Sequence, residues 1–180
     1  PGQDSTLTPV RRAPLALVGG ASVALTGCGA GRRIENGVYH STKGYRASVP
    51  GADWVVADAS RADLELRHRG GAAAMLANAQ CGEGTETRGA GLLLRQLLIG
   101  IRDRATIEQE EVSLNGQRAV RRVLGGRVSE DGTPTRIEAY VMSEGRCVYD
   151  FVYVAPPASF DMWRGQFRAF VESFAMEPTE

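Results

Sequence analysis

Lysine is almost missing from this chain. Of its 21 basic residues only Lys43 is one, and 21 acidic residues cancel them to a formal net charge of zero. A balanced charge excludes a strongly basic nucleic-acid binder and an acidic tail protein, and the arginine bias fits a GC-rich coding sequence better than phosphate recognition. Two histidines, His40 and His68, and three cysteines leave little material for metal or nucleophile chemistry. There is no C-x-x-C pair and no G-x-S-x-G elbow. No apolar run reaches the ~18–20 residues that a spanning helix needs. What remains is ordinary for a packed protein. The 180 residues are 43% hydrophobic and 23% charged, enough for one domain and a short appendage.

The appendage is at the N-terminus. Arg11-Arg12 precede an uncharged stretch from Ala13 to Leu25, a length suited to a signal-peptide apolar region. It ends in Leu25-Thr26-Gly27-Cys28. An apolar residue, two small residues and a cysteine resemble the lipobox of bacterial lipoproteins. The resemblance implies that residues 1–27 are removed as a signal peptide and that Cys28 carries a diacylglycerol, with the new amine acylated. Several acyl chains exceed the threshold for stable anchoring without any spanning segment. Gly29, rather than Asp, after the cysteine implies by the same analogy the periplasmic side of the outer membrane. A twin-arginine export signal fits poorly, because Val10 precedes the arginines and Ala13-Pro14 follow. Residues 28–36 read as a short polar tether of roughly 30 Å at most, and residues 37–176 as the domain.

Three cysteines in an exported protein leave one over. With Cys28 lipidated, Cys81 and Cys147 can pair in a compartment that permits disulfides. Two buried free thiols are the alternative. A metal site lacks ligand spacing.

Along the domain, Val38 to His40 and Tyr45 to Val49 read as short strands. Leu64 and Leu66 alternate with charged residues as in a half-buried strand, and Ala72 to Cys81 reads as another. Gly82 to Gly91 is a glycine-rich loop. Leu94, Leu97, Leu98 and Ile101 fall at helical spacing and predict a helix from about Ala90 to Arg102. Asn115-Gly116 is a strong hairpin signal. A two-residue loop there pairs Val112 with Ala119, Glu110 with Arg121, and Ile107 with Leu124. Adjacent Glu110 and Glu111 point to opposite faces of a strand and do not make a catalytic pair. Glu144-Gly145 predicts a second hairpin, pairing Tyr140 with Tyr149 and Met142 with Cys147. The strand after it is apolar on both faces and belongs at the centre of a covered sheet. Pro156-Pro157 stops it. Ser159 then caps a helix striped with Phe160, Trp163, Phe167, Phe170, Val171 and Phe174. This order predicts an α+β domain, an α/β/α sandwich whose mostly antiparallel sheet is covered by helices on both faces.

Several of these features together resemble the PsbP-like family. They are the Val49-Pro50 step before Trp54, the middle helix, the meander, and the ending Tyr149-Asp150-Phe151-Val152-Tyr153 … Phe160 … Phe167 … Phe170-Val171-Glu172-Ser173-Phe174. The resemblance spans residues 37–176. It implies docking onto a larger partner and no shared catalytic site, and it transfers no functional residue. Gly82-x-Gly84 and Gly89-x-Gly91 evoke a phosphate loop, but no lysine follows and Glu83 and Glu86 repel phosphate. Asp150, on the central strand, must find a partner or shift its pKa upward.

The expectation is therefore a non-enzymatic, lipid-anchored protein of the bacterial cell envelope. It has no cofactor, nucleotide or nucleic acid, and it docks onto a membrane-proximal protein partner. Its contact regions are expected at exposed sheet, the meander edge and the Gly82–Gly91 loop. The alternative is an auxiliary lipoprotein that holds a hydrophobic ligand for an envelope transporter, with Tyr140, Tyr149, Phe151 and Tyr153 lining the pocket. Docking requires that this aromatic face be sealed. Carriage requires an apolar cavity of ~300 Å³ or more beneath the closing helix.

Overall fold

A computed structural model of the chain describes residues 33–71, 73–82, 94, 97, 98, 100–128 and 132–177. The expected signal peptide, Cys28 and most of the Gly82–Gly91 loop lie outside the described residues. Arg33–Glu35, at the end of the expected tether, forms a strand, β1. Asn36 and Gly37, with φ of 50° and 77°, turn it into β2, Val38–Ser41. Positive φ at both loop positions is what a tight two-residue hairpin requires, and Asn-Gly supplies it cheaply. β3 is Tyr45–Ser48, β4 Trp54–Val56, β5 Leu64–His68 and β6 Ala74–Cys81.

The long meander follows. β7 runs Arg102–Leu114, β8 Gln117–Arg127, β9 Pro134–Glu144 and β10 Cys147–Ala155. Helix α1 is Phe160–Glu172, and β11, Ala175–Met176, closes the described chain. All pairings are antiparallel. A seven-stranded sheet runs in the order β4-β5-β6-β10-β9-β8-β7, and a four-stranded one in the order β1-β2-β3-β11.

β10 is the centre of the larger sheet, as its two apolar faces demand. On one side Tyr149, Phe151 and Tyr153, all fully buried, meet α1. Tyr153 stacks on Phe167 at 5.4 Å, Phe151 meets Phe170 and Phe174 edge-on, and Tyr149 meets Phe174 at 5.0 Å. The small sheet enters the same core through Tyr39 and Tyr45, and Tyr45 packs on Tyr149 and Phe174. On the other side Val148 and Val152 pack with Leu124, Ile137, Val141, Leu94 and Leu98.

The α/β/α sandwich is overturned. The described residues are mostly β, in two antiparallel sheets, and their one continuous helix covers one face. On the opposite face the described cover is Leu94, Leu97, Leu98 and Ile101. Leu94 and Leu97 are helical, and the Leu98 amide bonds to the Leu94 carbonyl. Gly100 then takes φ +96° and β7 starts at Arg102, so a helix continuing to Arg102 is excluded. Apolar spacing at 94, 97, 98 and 101 marks the buried side of the segment, but it does not fix where the helical turn stops. The other departures are local. Thr106 rather than Ile107 faces Leu124, because a bulge between Thr106 and Glu108 leaves Ile107 extra and half exposed. The second hairpin turns at Gly145-Arg146, so Tyr140 faces Phe151 and Tyr149 faces Met142. The shift is by an even number, so every side chain keeps its expected face. Ser159 precedes α1 but makes no side-chain cap bond there; its hydroxyl donates to the Pro156 carbonyl at 3.4 Å.

Cys81 and Cys147 are bonded, 66 residues apart in sequence, and face each other directly across β6 and β10. A loop of that size is expected to contribute about 2–4 kcal/mol by restricting the unfolded chain. The double variant Cys81→Ala/Cys147→Ala should lose that amount in urea unfolding, and reductant should move the wild-type midpoint toward the variant's.

Candidate interaction site

The aromatic face expected for ligand carriage is filled by the protein itself. Tyr149, Phe151 and Tyr153 are fully buried and Tyr140 is 6% exposed, all four under α1 and its phenylalanines. The Tyr153 hydroxyl donates to the Phe160 carbonyl at 2.9 Å, tying strand to helix. Open clefts occur at margins instead. One of about 420 Å³ lies among Val128, Pro134, Val154 and Pro156. Another, of about 210 Å³, lies among Glu110, Val112, Arg121, Tyr140 and Arg168.

The second cleft borders a cluster of charge that sequence reasoning recognised only at its rim. Glu110 faces Arg121 across β7 and β8, as expected. The centre, however, is Glu138 on β9, which has no exposed surface. Arg121 donates from Nε to Glu138 at 2.5 Å, from Nη1 to Glu110 at 2.6 Å and from Nη2 to Glu108 at 2.7 Å. Arg164 of α1 donates to Glu138 at 2.7 Å and to Glu108 at 3.2 Å, and Arg168 reaches Glu138 at 3.3 Å. The Tyr140 hydroxyl donates to Glu138 at 3.1 Å. Three guanidiniums thus meet three carboxylates. Burial alone would push the Glu138 carboxyl up, but hydrogen bonds from Arg121 and Arg164 outweigh it and hold the pKa below the usual value. The hydrogen bond from Arg121 likewise lowers Glu108. Glu108 and Glu138 are held ionised and all three acids are hydrogen-bonded to arginine, which is the arrangement of a structural clamp between α1 and the sheet. The sequence did carry a trace of it. Glu138 shares a face with Tyr140 two residues on, and Arg164 and Arg168 are four apart beside the phenylalanine stripe.

A second polar cluster joins the two sheets. The sole lysine, Lys43, donates to Asp63 at 2.6 Å and also to the Ala79 carbonyl. The other Asp63 oxygen accepts from Tyr45 at 3.0 Å and from the Ala79 amide at 2.8 Å. Burial, with help from the Asp63 charge, drives the Tyr45 hydroxyl pKa well above its ordinary value. Asp150 sits nearby. Burial pushes its carboxyl up to about 6, Asp63 adds to the rise, and the bond from Asn78 and the Lys43 charge offset only part. The predicted conflict at Asp150 is real, and its partner is a cross-strand asparagine.

The histidines are held in structural contacts. His68 lies between Trp54 and Trp163 and accepts from the Gly70 amide at 3.1 Å. His40 pairs with Glu177 at 2.7 Å. Among the described residues no group of three or more His, Cys, Asp or Glu could hold a metal ion, and no helix is long and apolar enough to cross a membrane.

No protein-family model and no curated protein matches this sequence. Solved structures do. The solution structure of cyanobacterial PsbP (CyanoP) from Synechocystis sp. PCC 6803 aligns with a TM-score of 0.57 at 17% identity, over 77% of this chain and 91% of that one. LpqN of Mycobacterium tuberculosis, described as involved in cell envelope biogenesis, aligns with a TM-score of 0.57 at 16% identity, over 77% and 88%. A protein of unknown function from Pseudomonas aeruginosa, a putative regulator, aligns at 0.51 and 14% identity, over 79% and 97%. The fold is therefore PsbP-like.

Two outcomes follow from the charge clusters. Glu138→Gln leaves buried guanidiniums short of charge and should lose about 3–5 kcal/mol in urea unfolding, whereas Glu111→Gln on the exposed strand should stay within about 0.5 kcal/mol. For Asp150 the folded-state pKa lies above the unfolded one. The folded protein therefore holds a proton between about pH 4 and 6 that the unfolded chain releases, and stability falls as pH rises through that window. Asp150→Asn should raise stability at pH 7.5 by about 1–2 kcal/mol, and the gain should vanish near pH 4. Thermal unfolding at both pH values checks this.

Proposed function

We propose that this chain is a lipid-anchored, non-enzymatic protein of the bacterial cell envelope whose PsbP-like domain docks onto a membrane-proximal protein partner. The observation that carries the reading is the sealed aromatic face. The rings that could have lined a ligand pocket are packed against Phe160, Phe167, Phe170 and Phe174. The fully buried Glu138 is consumed in ion pairs with Arg121 and Arg164, so neither feature is free for a small molecule. What the domain offers to solvent is sheet edge and charged strand.

The envelope assignment is supported by the fold shared with LpqN, which is described as involved in cell envelope biogenesis. The anchor is supported by Leu25-Thr26-Gly27-Cys28. Anchored through Cys28 on the periplasmic side of the outer membrane, the domain would sit a few residues from the lipid. β1 begins at Arg33, which leaves a short connection and restricts partners to those near the surface.

Fractionation of cells expressing the full chain beside Cys28→Ala tests both parts. Wild type is expected in the membrane fraction and Cys28→Ala in the soluble fraction. Cross-linked wild type is expected to bring down a specific envelope protein. Stoichiometric lipid in the purified domain, with no protein partner, would overturn docking in favour of carriage.

A further inference from the structure

We propose that the outer edge of β7 takes up an extended basic segment of the partner protein as an eighth strand of the larger sheet. This rests on the docking reading above and names the chemistry of the partner.

β7 is the last strand of its sheet. Residues Glu108–Leu114 pair one for one with Gln117–Val123, a regular run of about 24 Å. The two-residue Asn115-Gly116 loop makes Leu114 and Gln117 a hydrogen-bonded pair, so Val112, Glu110 and Glu108 also direct their backbone groups to β8. Gln109, Glu111 and Ser113 must then direct theirs outward, and all three are exposed. Among the described residues no strand pairs with this edge. The run has defined ends: the turn closes one, and the bulge between Thr106 and Glu108 interrupts the other. A peptide therefore has one docking frame.

Charge selects the occupant. Glu108, Glu110 and Glu111 carry side chains 44%, 53% and 70% exposed. Arg121 holds Glu110 through one oxygen and shares Glu108 with Arg164, while Arg118 lies 3.9 Å from Glu111, so the carboxylates are pre-positioned along the rim while still partly exposed. A second copy of the chain is the wrong partner. Antiparallel self-pairing centred on Gln109, Glu110 or Glu111 sets glutamate opposite glutamate, which destabilises a sheet. The edge fits a strand that places an apolar residue opposite Val112, basic residues opposite Glu111 and Glu110, a polar residue opposite Gln109 and a basic residue opposite Glu108. Main-chain bonds would supply affinity, and the glutamates direction and register.

The probe is a seven-residue blocked peptide, Thr-Val-Arg-Lys-Thr-Arg-Thr, added to the wild-type chain released from membrane in detergent. Amide exchange is followed by NMR. The expected result is slowed exchange at Gln109, Glu111 and Ser113, with Glu110 and Val112 unchanged. N-methylation of the peptide amides that face β7 should weaken binding at least tenfold, and replacing its basic residues by Glu should abolish it. The inference is overturned if the peptide does not bind, if the N-methylated peptide binds equally well, or if the three amides are already protected in the free protein. Glu111→Pro removes one outward donor without touching the β8 ladder and separates the two readings. If it captures the envelope partner as well as wild type does, the edge inference fails and docking stands. If wild type itself captures none, docking fails.

Discussion

Everything in this molecule depends on β10 being apolar on both sides. A strand that carries Tyr149, Phe151 and Tyr153 on one face and Val148 and Val152 on the other is stable only between two covers. α1, the small sheet and the leucines near residue 98 are those covers. The disulfide to β6 and the hairpin to β9 hold the strand from either edge. Removing any cover would expose either the rings or the branched side chains of this strand, so the order of the whole sheet follows from this one segment.

The same face explains why a charged cluster is buried. α1 approaches the sheet at an angle that seats its phenylalanines over β10 and leaves its arginine side over β8 and β9. Arg164 also lies over the Phe160 ring at 5.3 Å. Glu138 answers both Arg164 and Arg121, so the helix can dock in one orientation without stranding a charge. Ion pairs of this kind contribute little net stability against an apolar alternative, but breaking one partner is costly. Here the cluster's value lies in setting where the helix sits.

Function follows from what these constraints leave exposed. With the aromatic face sealed and Glu138 paired, the proposed docking falls to the periphery, where β7 projects beyond the core with nearly every side chain in solvent. Bulges and carboxylates along it are devices that stop a sheet from pairing with itself. They restrict the edge without closing it to an oppositely charged strand.

The central strand, the Asn115-Gly116 hairpin register at Glu110 and Val112, the closing helix and the conflict at Asp150 were legible in the sequence, because each rests on local periodicity or on a turn that chain chemistry dictates. So was the pairing of Cys81 with Cys147 as a possibility, by counting. The hairpin at Asn36-Gly37 carried the same signal and was hidden by its polar surroundings. Four features were decided only in three dimensions. They are the burial of Glu138, the bulge that expels Ile107, the two-residue strand β11 that pairs with β3, and the break at Gly100 that leads into β7. Each depends on contacts between segments far apart in sequence. A glutamate on a strand reads as solvated until two helix arginines, 26 and 30 residues on, are brought over it. The leucine spacing reads as a helix running to Arg102 until Gly100 turns the chain into β7. Local spacing selects the elements, and competition for the same buried surface decides which survive and where they end.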